Sequence, residues 1–240
     1  MTEKTWIITY LNGTPSLKVE AESFKAAVEK VKDKLSYANL GGVYLRNADL
    51  GGADLSYANL SAANLSYANL SAANLSYANL KGADLNHADF EGAALNEANL
   101  EGTDLRGTDL KEADLRKANL SEADLQYAYL RKADLSGADL RYADLRGVNL
   151  FWVCLNEANL RCAALSWANF EGADFKGADL SRSNLRGTNL RGVDFREADL
   201  KEADLSWSDL SGVDFKGANL SGVSLLGVDL SGLNGLPKLG

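Results

Sequence analysis

Residues 53–72 read ADLSY ANLSA ANLSY ANLSA, and this five-residue unit continues without insertion or deletion from Ser36 to Gly235. The centre of each unit falls on a multiple of five. Between Leu40 and Leu230 these 39 centres comprise 34 leucines and five phenylalanines. The residue two places before the centre is alanine in 27 units, and the residue immediately before it is aspartate or asparagine in 33. Regularity of this kind indicates a repeat architecture.

A period of five residues fits neither regular secondary structure. On an α-helix the leucines would turn by roughly 140° per unit and cover the whole cylinder. On a straight strand an odd period would place alternate leucines on opposite faces. A short strand followed by a corner satisfies the pattern, because alanine and leucine then point inward and the aspartate or asparagine between them points outward. Glycine is common two residues after the centre, as expected for a corner. The sequence therefore predicts a solenoid with a leucine and alanine interior.

The units resemble the A(D/N)LXX motif of the pentapeptide-repeat proteins, as in Ala53-Asp54-Leu55-Ser56-Tyr57. This resemblance implies an all-β solenoid, namely a right-handed quadrilateral β-helix with four units, or twenty residues, per coil. The repeat region, residues 36–235, would then form about ten coils.

The first 35 residues lack the repeat and predict a β-β-α module. Strands are expected at Trp6–Leu11 and Leu17–Ala21, with a turn between them. Ser23 is the expected N-cap of a helix whose apolar residues follow helical spacing as far as Leu35. Because the open end of a solenoid needs a cover, we expect residues 1–35 to cap the first coil. Docking of a partner is the alternative role.

The C-terminal end is expected to differ, since residues 236–240 form only a short tail. Many proteins of the family end in a helix that caps the solenoid or forms a dimer. Here the apolar side chains near the end require either the tail or a second copy to cover them. We therefore expect a weak end-to-end homodimer. The residues assigned to this contact are Leu225, Leu226, Leu230, Leu233 and Leu236.

Composition and charge exclude several functions. The net charge of −8 argues against direct binding of nucleic acid. The sequence contains neither an apolar run of membrane-spanning length nor a secretory signal pattern. Cys154 and Cys162 should lie on different faces, which disfavours a disulfide and suits a reducing, cytoplasmic location. The acids are spaced evenly over a convex surface, and His87 is the one histidine. We therefore predict no catalytic residues, cofactor or metal.

Exposed aromatic residues are the candidates for an interaction surface. Tyr37, Tyr57 and Tyr77 are twenty residues apart and should stack beside a segment, Leu55–Leu80, that contains no charge. Tyr67 should lie one coil before His87. Residues that are twenty apart, and so lie above one another on successive coils, are said to share a column. The last two candidates, Trp167 and Trp207, should share a column, with Gly187 on the coil between them. Aromatic ladders that only stabilise the coils are the alternative explanation.

These features predict a non-enzymatic structural or protein-interaction rod with an unknown protein partner. The resemblance offers an alternative, a DNA mimic that binds DNA gyrase or another type II topoisomerase. The repeat region holds 28 acidic and 18 basic residues, a net charge of −10. DNA of the same length would carry roughly 28 negative charges. The lower charge density favours the rod.

Overall fold

The computed structural model describes residues 3–231, beginning with a small N-terminal module. Strand β1 (Lys4–Ile8) pairs with β2 (Leu17–Ala21) as an antiparallel hairpin in which Lys4 lies opposite Ala21. Helix α1 (Phe24–Lys30) and a 3-10 turn (Lys32–Lys34) follow. Helix α1 has seven residues, and among residues 3–231 no helix reaches the length and hydrophobicity of a membrane span.

The module agrees with the predicted element order but not with all of its boundaries. The Ser23 side chain accepts a hydrogen bond from the Ala26 N–H, as expected of an N-cap. However, α1 ends at Lys30, because Val31 leaves the helical conformation and a 3-10 turn replaces the last predicted turn. The first strand also begins before Trp6 and ends before Leu11.

The repeats wind into a β-solenoid with twenty residues per coil. Each residue at the aspartate or asparagine position pairs in parallel with the residue twenty places further along, from Asn39–Asn59 to Asp204–Ser224. Every unit therefore lies beside the unit four places later. The expected short strand is reduced to one bridging residue per unit, because the remaining residues of the unit form the corner.

Five consecutive residues, 57–61, show why the repeat has this composition. The N–H groups of Tyr57 and Leu60 donate to the next coil, at Ser76 O (2.9 Å) and Asn79 O (2.7 Å). The Asn59 N–H donates to the preceding coil, and the Ala58 N–H closes a turn onto Leu55 O. The fifth N–H, that of Ser61, donates to the Asn59 side chain at 3.1 Å. The outward asparagine or aspartate thus completes the hydrogen bonding of the backbone.

The corner requires an unusual backbone conformation. Four-residue turns of type II need a positive φ at their third residue. Tyr57 occupies that place with φ 59°, and the second residue after the centre is similar in the other units described. This conformation directs the Tyr57 N–H at the next coil.

The interior is a continuous apolar column. The leucine and phenylalanine centres from Leu40 to Phe215 are at most 2% exposed, and the alanines two places before them are equally buried. Phe175, Phe195 and Phe215 stack in succession, with ring centroids 5.1 and 5.6 Å apart. The inward and outward assignment made from the sequence is confirmed.

The N-terminal module supplies hydrogen bonds that a preceding coil would otherwise provide. The Asn39 N–H donates to Thr9 O (2.8 Å), and the Asp54 N–H donates to Lys32 O (2.9 Å). The Asp49 N–H donates to the Glu29 carboxylate at 2.7 Å. Three of the four columns of paired residues therefore begin on the module.

Candidate interaction surfaces

Tyr37, Tyr57 and Tyr77 form the predicted aromatic stack. The ring centroids are 4.7 and 4.8 Å apart, and the ring planes differ by 3° and 4°. Tyr57 and Tyr77 are 42% and 43% exposed, so one edge of the stack faces solvent. The Tyr77 hydroxyl donates to Glu97 Oε1 at 3.2 Å, and this hydrogen bond to a carboxylate raises the pKa of Tyr77.

The stack lies in a section of the rod with few charges. Arg46, Asp49 and Asp54 are the only charged residues between Ser36 and Leu80. At its N-terminal end the stack adjoins a groove of about 490 Å³, which is lined by Tyr37 and by residues of the hairpin loop. This combination gives an aromatic and largely neutral surface.

Tyr67 belongs to a second stack. Its ring lies 5.1 Å from the ring of His87, as predicted from their separation of one coil. On its other side the Arg46 guanidinium carbon lies 4.4 Å from the centre of the Tyr67 ring. Arg46 also donates to Ser66 Oγ at 3.0 Å, which holds the guanidinium over the ring.

Trp167 and Trp207 each lie on the backbone of the following coil. A Cβ atom added to Gly187 would be 2.6 Å from Trp167 Cε3, and one added to Gly227 would be 2.5 Å from Trp207 Cε3. Each indole ring therefore packs against the glycine of the following coil, and the two rings do not stack on each other. They remain 67% and 54% exposed.

The structure divides the six predicted aromatic residues between two columns. Residues twenty apart are paired, so Tyr37, Tyr57 and Tyr77 share one column. Tyr67, Trp167 and Trp207 belong to the column half a coil away. They therefore do not form a single surface with the first three.

Several exposed aromatic residues were not among the interaction residues predicted from the sequence. Alignment of the outward positions in the twenty-residue register, coil by coil, would have revealed them. They are Tyr44, Tyr127, Tyr129, Tyr142 and Trp152, which are 54–75% exposed.

Five aspartates of the solenoid form a salt bridge with the arginine two residues later, namely Asp104, Asp114, Asp139, Asp144 and Asp194. Arg116 Nε and Nη2 donate to the two oxygens of Asp114 at 2.8 and 2.7 Å. Hydrogen bonds from the arginine side chain lower the pKa of Asp114, and Arg106 lowers the pKa of Asp104 in the same way. The Arg106 guanidinium also lies 3.7 Å from Asp124 in the next coil. These pairs offset the repulsion expected between stacked carboxylates.

The C-terminal end of the solenoid exposes part of its interior. Leu220 and Leu225 stand at core positions but are only partly buried. Leu226 is 64% exposed and Leu230 is 37% exposed. The other two predicted contact residues, Leu233 and Leu236, lie outside the described residues.

The chemistry of the remaining polar groups is limited. Cys154 and Cys162 are free and lie in different columns, as predicted. Cys154 Sγ lies 2.8 Å from Asn156 Oδ1 and 3.2 Å from Ser136 Oγ. Within residues 3–231 no group of three or more histidine, cysteine, aspartate or glutamate side chains could hold a metal ion.

The chain belongs to the pentapeptide-repeat family. The family model for pentapeptide repeats matches in eight copies, which together span most of the sequence. The matches include residues 34–71, 53–92, 83–121, 118–156, 158–197 and 198–234.

Solved structures of the family resemble this protein. HetL from the cyanobacterium Nostoc sp. strain PCC 7120 is 37% identical and has a TM-score of 0.60, over 85% of this chain and 92% of HetL. It is described as a pentapeptide repeat protein involved in the regulation of heterocyst differentiation. No curated protein sequence matches the chain significantly.

A more distant resemblance is to a trypsin-treated, singly substituted form of QnrB1. QnrB1 is a plasmid-mediated fluoroquinolone resistance protein. It is 22% identical and has a TM-score of 0.54, over 64% of this chain and 83% of the QnrB1 chain. At this identity the similarity shows the shared fold only.

Proposed function

We propose that this protein is a non-enzymatic rod that binds another protein through exposed aromatic side chains. The stack of Tyr37, Tyr57 and Tyr77 carries this proposal. Its rings are held parallel by the coil spacing, so binding a partner would cost little side-chain entropy. Few neighbouring charges would have to lose their water. The regulatory role described for HetL is consistent with an interaction protein.

The test compares the proteins recovered from a lysate of the source organism by the tagged chain and by two variants. Tyr57→Ser combined with Tyr77→Ser removes the exposed edge of the stack. Tyr142→Ser is the control, because it removes a 61% exposed tyrosine from a different column. We expect a specific protein to be lost with the double variant and retained with the control. Recovery of no specific protein by the unmodified chain would contradict the proposal.

We further propose the architecture and location in which this rod functions. Residues 1–35 form the capping module, residues 36–235 the right-handed, four-sided helix of about ten coils, and residues 236–240 the tail. The twenty-residue register and the contacts of Asn39 and Asp54 with the module support this division. A cytoplasmic location suits the free thiols of Cys154 and Cys162.

The alternative function, mimicry of DNA toward DNA gyrase or another type II topoisomerase, is less well supported. A DNA mimic needs carboxylates that remain uncompensated, whereas arginines pair with Asp104, Asp114 and Asp194 here. Direct binding of nucleic acid is disfavoured by the net charge of −8. A supercoiling assay distinguishes the candidates, since only the mimic should inhibit gyrase.

We also propose a weak homodimer that joins the C-terminal ends of two rods. Leu226 and Leu230 are exposed beside partly buried core residues, and a second copy would cover them. Leu225, Leu233 and Leu236 are the other residues proposed for this contact.

A further inference from the structure

We infer that a second binding surface, in the C-terminal half of the rod, recognises an acidic segment of a protein partner. This inference rests on the proposed function, because it assigns the chemistry of a partner to an interaction rod. The surface, here called the aromatic–basic surface, combines exposed tyrosine and tryptophan rings with arginines. Its members are Tyr127, Tyr129, Arg131, Trp152, Trp167 and Arg186.

These residues come together because of the twenty-residue register. Tyr129 pairs with Asn149, and the pairing continues through Asn169 to Asn189. The Trp167 N–H donates to Arg186 O at 3.0 Å, so residues of neighbouring coils lie side by side. The surface therefore spans four successive coil positions, or roughly 15 Å along the rod.

The bridging positions at the centre of the surface are neutral, and Glu171 is an acid beside them. Asn189 Nδ2 donates to Asn169 Oδ1 at 2.9 Å and to Glu171 Oε2 at 3.2 Å, and Asn169 Nδ2 donates to Asn149 Oδ1 at 3.5 Å. From Tyr129 to Asn189 this column contains no acid, whereas the other three columns contain aspartates over the same coils. Arg146 and Arg191 beside this column still pair with Asp144 and Asp209, so Arg131 and Arg186 are the flanking arginines that remain.

Two of these arginines are available to a partner. Arg131 and Arg186 are exposed, and neither makes a salt bridge with a described residue. The Arg131 guanidinium carbon lies 5.7 Å from the centre of the Phe151 ring, which itself stacks on Trp152 at 5.3 Å. Their charges face solvent in a rod whose net charge is otherwise negative.

The fold does not require aromatic residues at these places. Glycine adopts the positive φ of the corner without strain, yet Tyr127, Trp152 and Trp167 have φ values of 61°, 57° and 63°. Tyr129 replaces the aspartate or asparagine that would accept the N–H of the residue two places later. Each of these four residues is 54–75% exposed. Tyrosine, tryptophan and arginine are the residues that contribute most to protein interfaces.

Charge complementarity identifies the ligand as an acidic protein segment that also carries apolar side chains. Carboxylates would pair with Arg131 and Arg186, and the apolar groups would cover Trp152 and Trp167. A nucleic acid is a poorer ligand, because its phosphates would also approach the flanking columns that contain Asp124 and Asp134. An extended segment of about five residues would span the surface.

The probe is a fluorescein-labelled eight-residue peptide of alternating glutamate and leucine, measured by fluorescence anisotropy. A lysine and leucine peptide and an eight-nucleotide thymidine oligomer, both labelled in the same way, serve as comparisons. We expect the glutamate peptide alone to bind, and to bind more weakly as the salt concentration rises. Failure of the glutamate peptide to bind, or stronger binding of the oligonucleotide, would overturn the inference.

Matched variants locate the binding. R131E combined with R186E should weaken binding of the glutamate peptide at least about tenfold. R161E combined with K216E makes the same change in net charge at exposed residues of other columns and should have little effect. W152G combined with W167G should also weaken binding, while keeping a residue that suits the corner. Equal effects of the two charge-reversal variants would contradict the assigned surface.

The lysate experiment separates this inference from the proposed function. If R131E/R186E recovers the same specific protein as the unmodified chain and the peptide does not bind, the aromatic–basic surface is wrong and the interaction rod stands. If the unmodified chain recovers no specific protein, the proposed function itself fails.

Discussion

The second residue after each leucine has a positive φ, and large rings at this position lie on the coil that follows. Trp167 covers Gly187, and Trp152 covers Gly172 in the same manner. A side chain on the covered residue would occupy the place of the ring. The glycine thus meets two demands at once, the corner conformation and the close approach of an indole.

Gly187 should therefore be more sensitive to substitution than Gly147, which stands two coils earlier in the same column. Both have φ +68°, but a Cβ at Gly147 meets no atom within 4 Å, whereas one at Gly187 meets the Trp167 ring at 2.6 Å. We expect Gly147→Ala to cost about 1 kcal/mol of unfolding free energy from backbone strain. Gly187→Ala should cost more, because it also displaces the ring.

Denaturant unfolding measures both changes, and Trp167→Gly provides the control background. Without the indole, Gly187→Ala should cost no more than Gly147→Ala, as a double-mutant cycle would show. An equal cost for the two alanine substitutions in the unmodified protein would mean that the ring contributes nothing at Gly187.

Within each coil, aspartate–arginine pairs make stability depend on pH. Hydrogen bonds from Arg106, Arg116 and Arg196 lower the pKa values of their partner aspartates below the ordinary value. An aspartate with a lowered pKa stabilises the folded state above its unfolded pKa, about 3.9. This contribution is lost as the pH falls through the lowered folded-state pKa. Stability should thus change little between pH 7 and 5 and decrease below about pH 4.

The combined variant D104N/D114N/D194N tests this dependence by urea unfolding at several pH values. Asparagine retains the oxygen that accepts the backbone N–H but cannot titrate. The variant should lose less stability than the unmodified protein between about pH 4 and 2. The same loss in both proteins would show that other groups cause the acid sensitivity.

The N-terminal module is the element that begins the backbone pairing. Deletion of residues 1–34 would remove the acceptors of the Asn39, Asp49 and Asp54 N–H groups. We expect these amides to exchange hydrogen much faster, while those of Asn119 and Asp139 in the middle of the rod stay protected. The uncovered edge should also promote aggregation. Unchanged exchange of the early amides in a soluble truncated protein would contradict the capping role.

Features that every repeat unit shares could be predicted from the sequence. Features that depend on a single backbone turn, or on which residues lie on adjacent coils, could not. The five-residue period was sufficient to assign inward and outward positions, because every unit repeats the same backbone bonds. The end of α1 at Lys30 was not predictable, since the apolar spacing continues to Leu35 while the backbone already turns at Val31. The proposed aromatic–basic surface was not predicted from the sequence, because Tyr129 and Trp152 occupy different positions of the five-residue unit and come to adjacent coils only through the register.

Along the whole molecule, charge is distributed unevenly. The coils nearest the N-terminal module are almost neutral and carry the tyrosine stack, whereas the later coils alternate acids with arginines. The tyrosine stack and the proposed aromatic–basic surface therefore lie on different coils and on different sides of the rod. If both proposals hold, the rod would keep two partners, or two parts of one partner, a set distance apart.

The ends of the rod also differ, and this difference is the basis of the proposed closed dimer. At the N-terminal end the module accepts hydrogen bonds from the first coils, while the C-terminal end exposes Leu226 and Leu230. An isologous contact between two C-terminal ends buries both and cannot continue into a filament. We expect the unmodified protein to show a weak, concentration-dependent dimer in sedimentation equilibrium, and L226D combined with L230D to be a monomer with intact coils. L11D, at a 55% exposed leucine near the opposite end, is the control and should still dimerise. A purely monomeric unmodified protein at high concentration would refute the end-to-end contact.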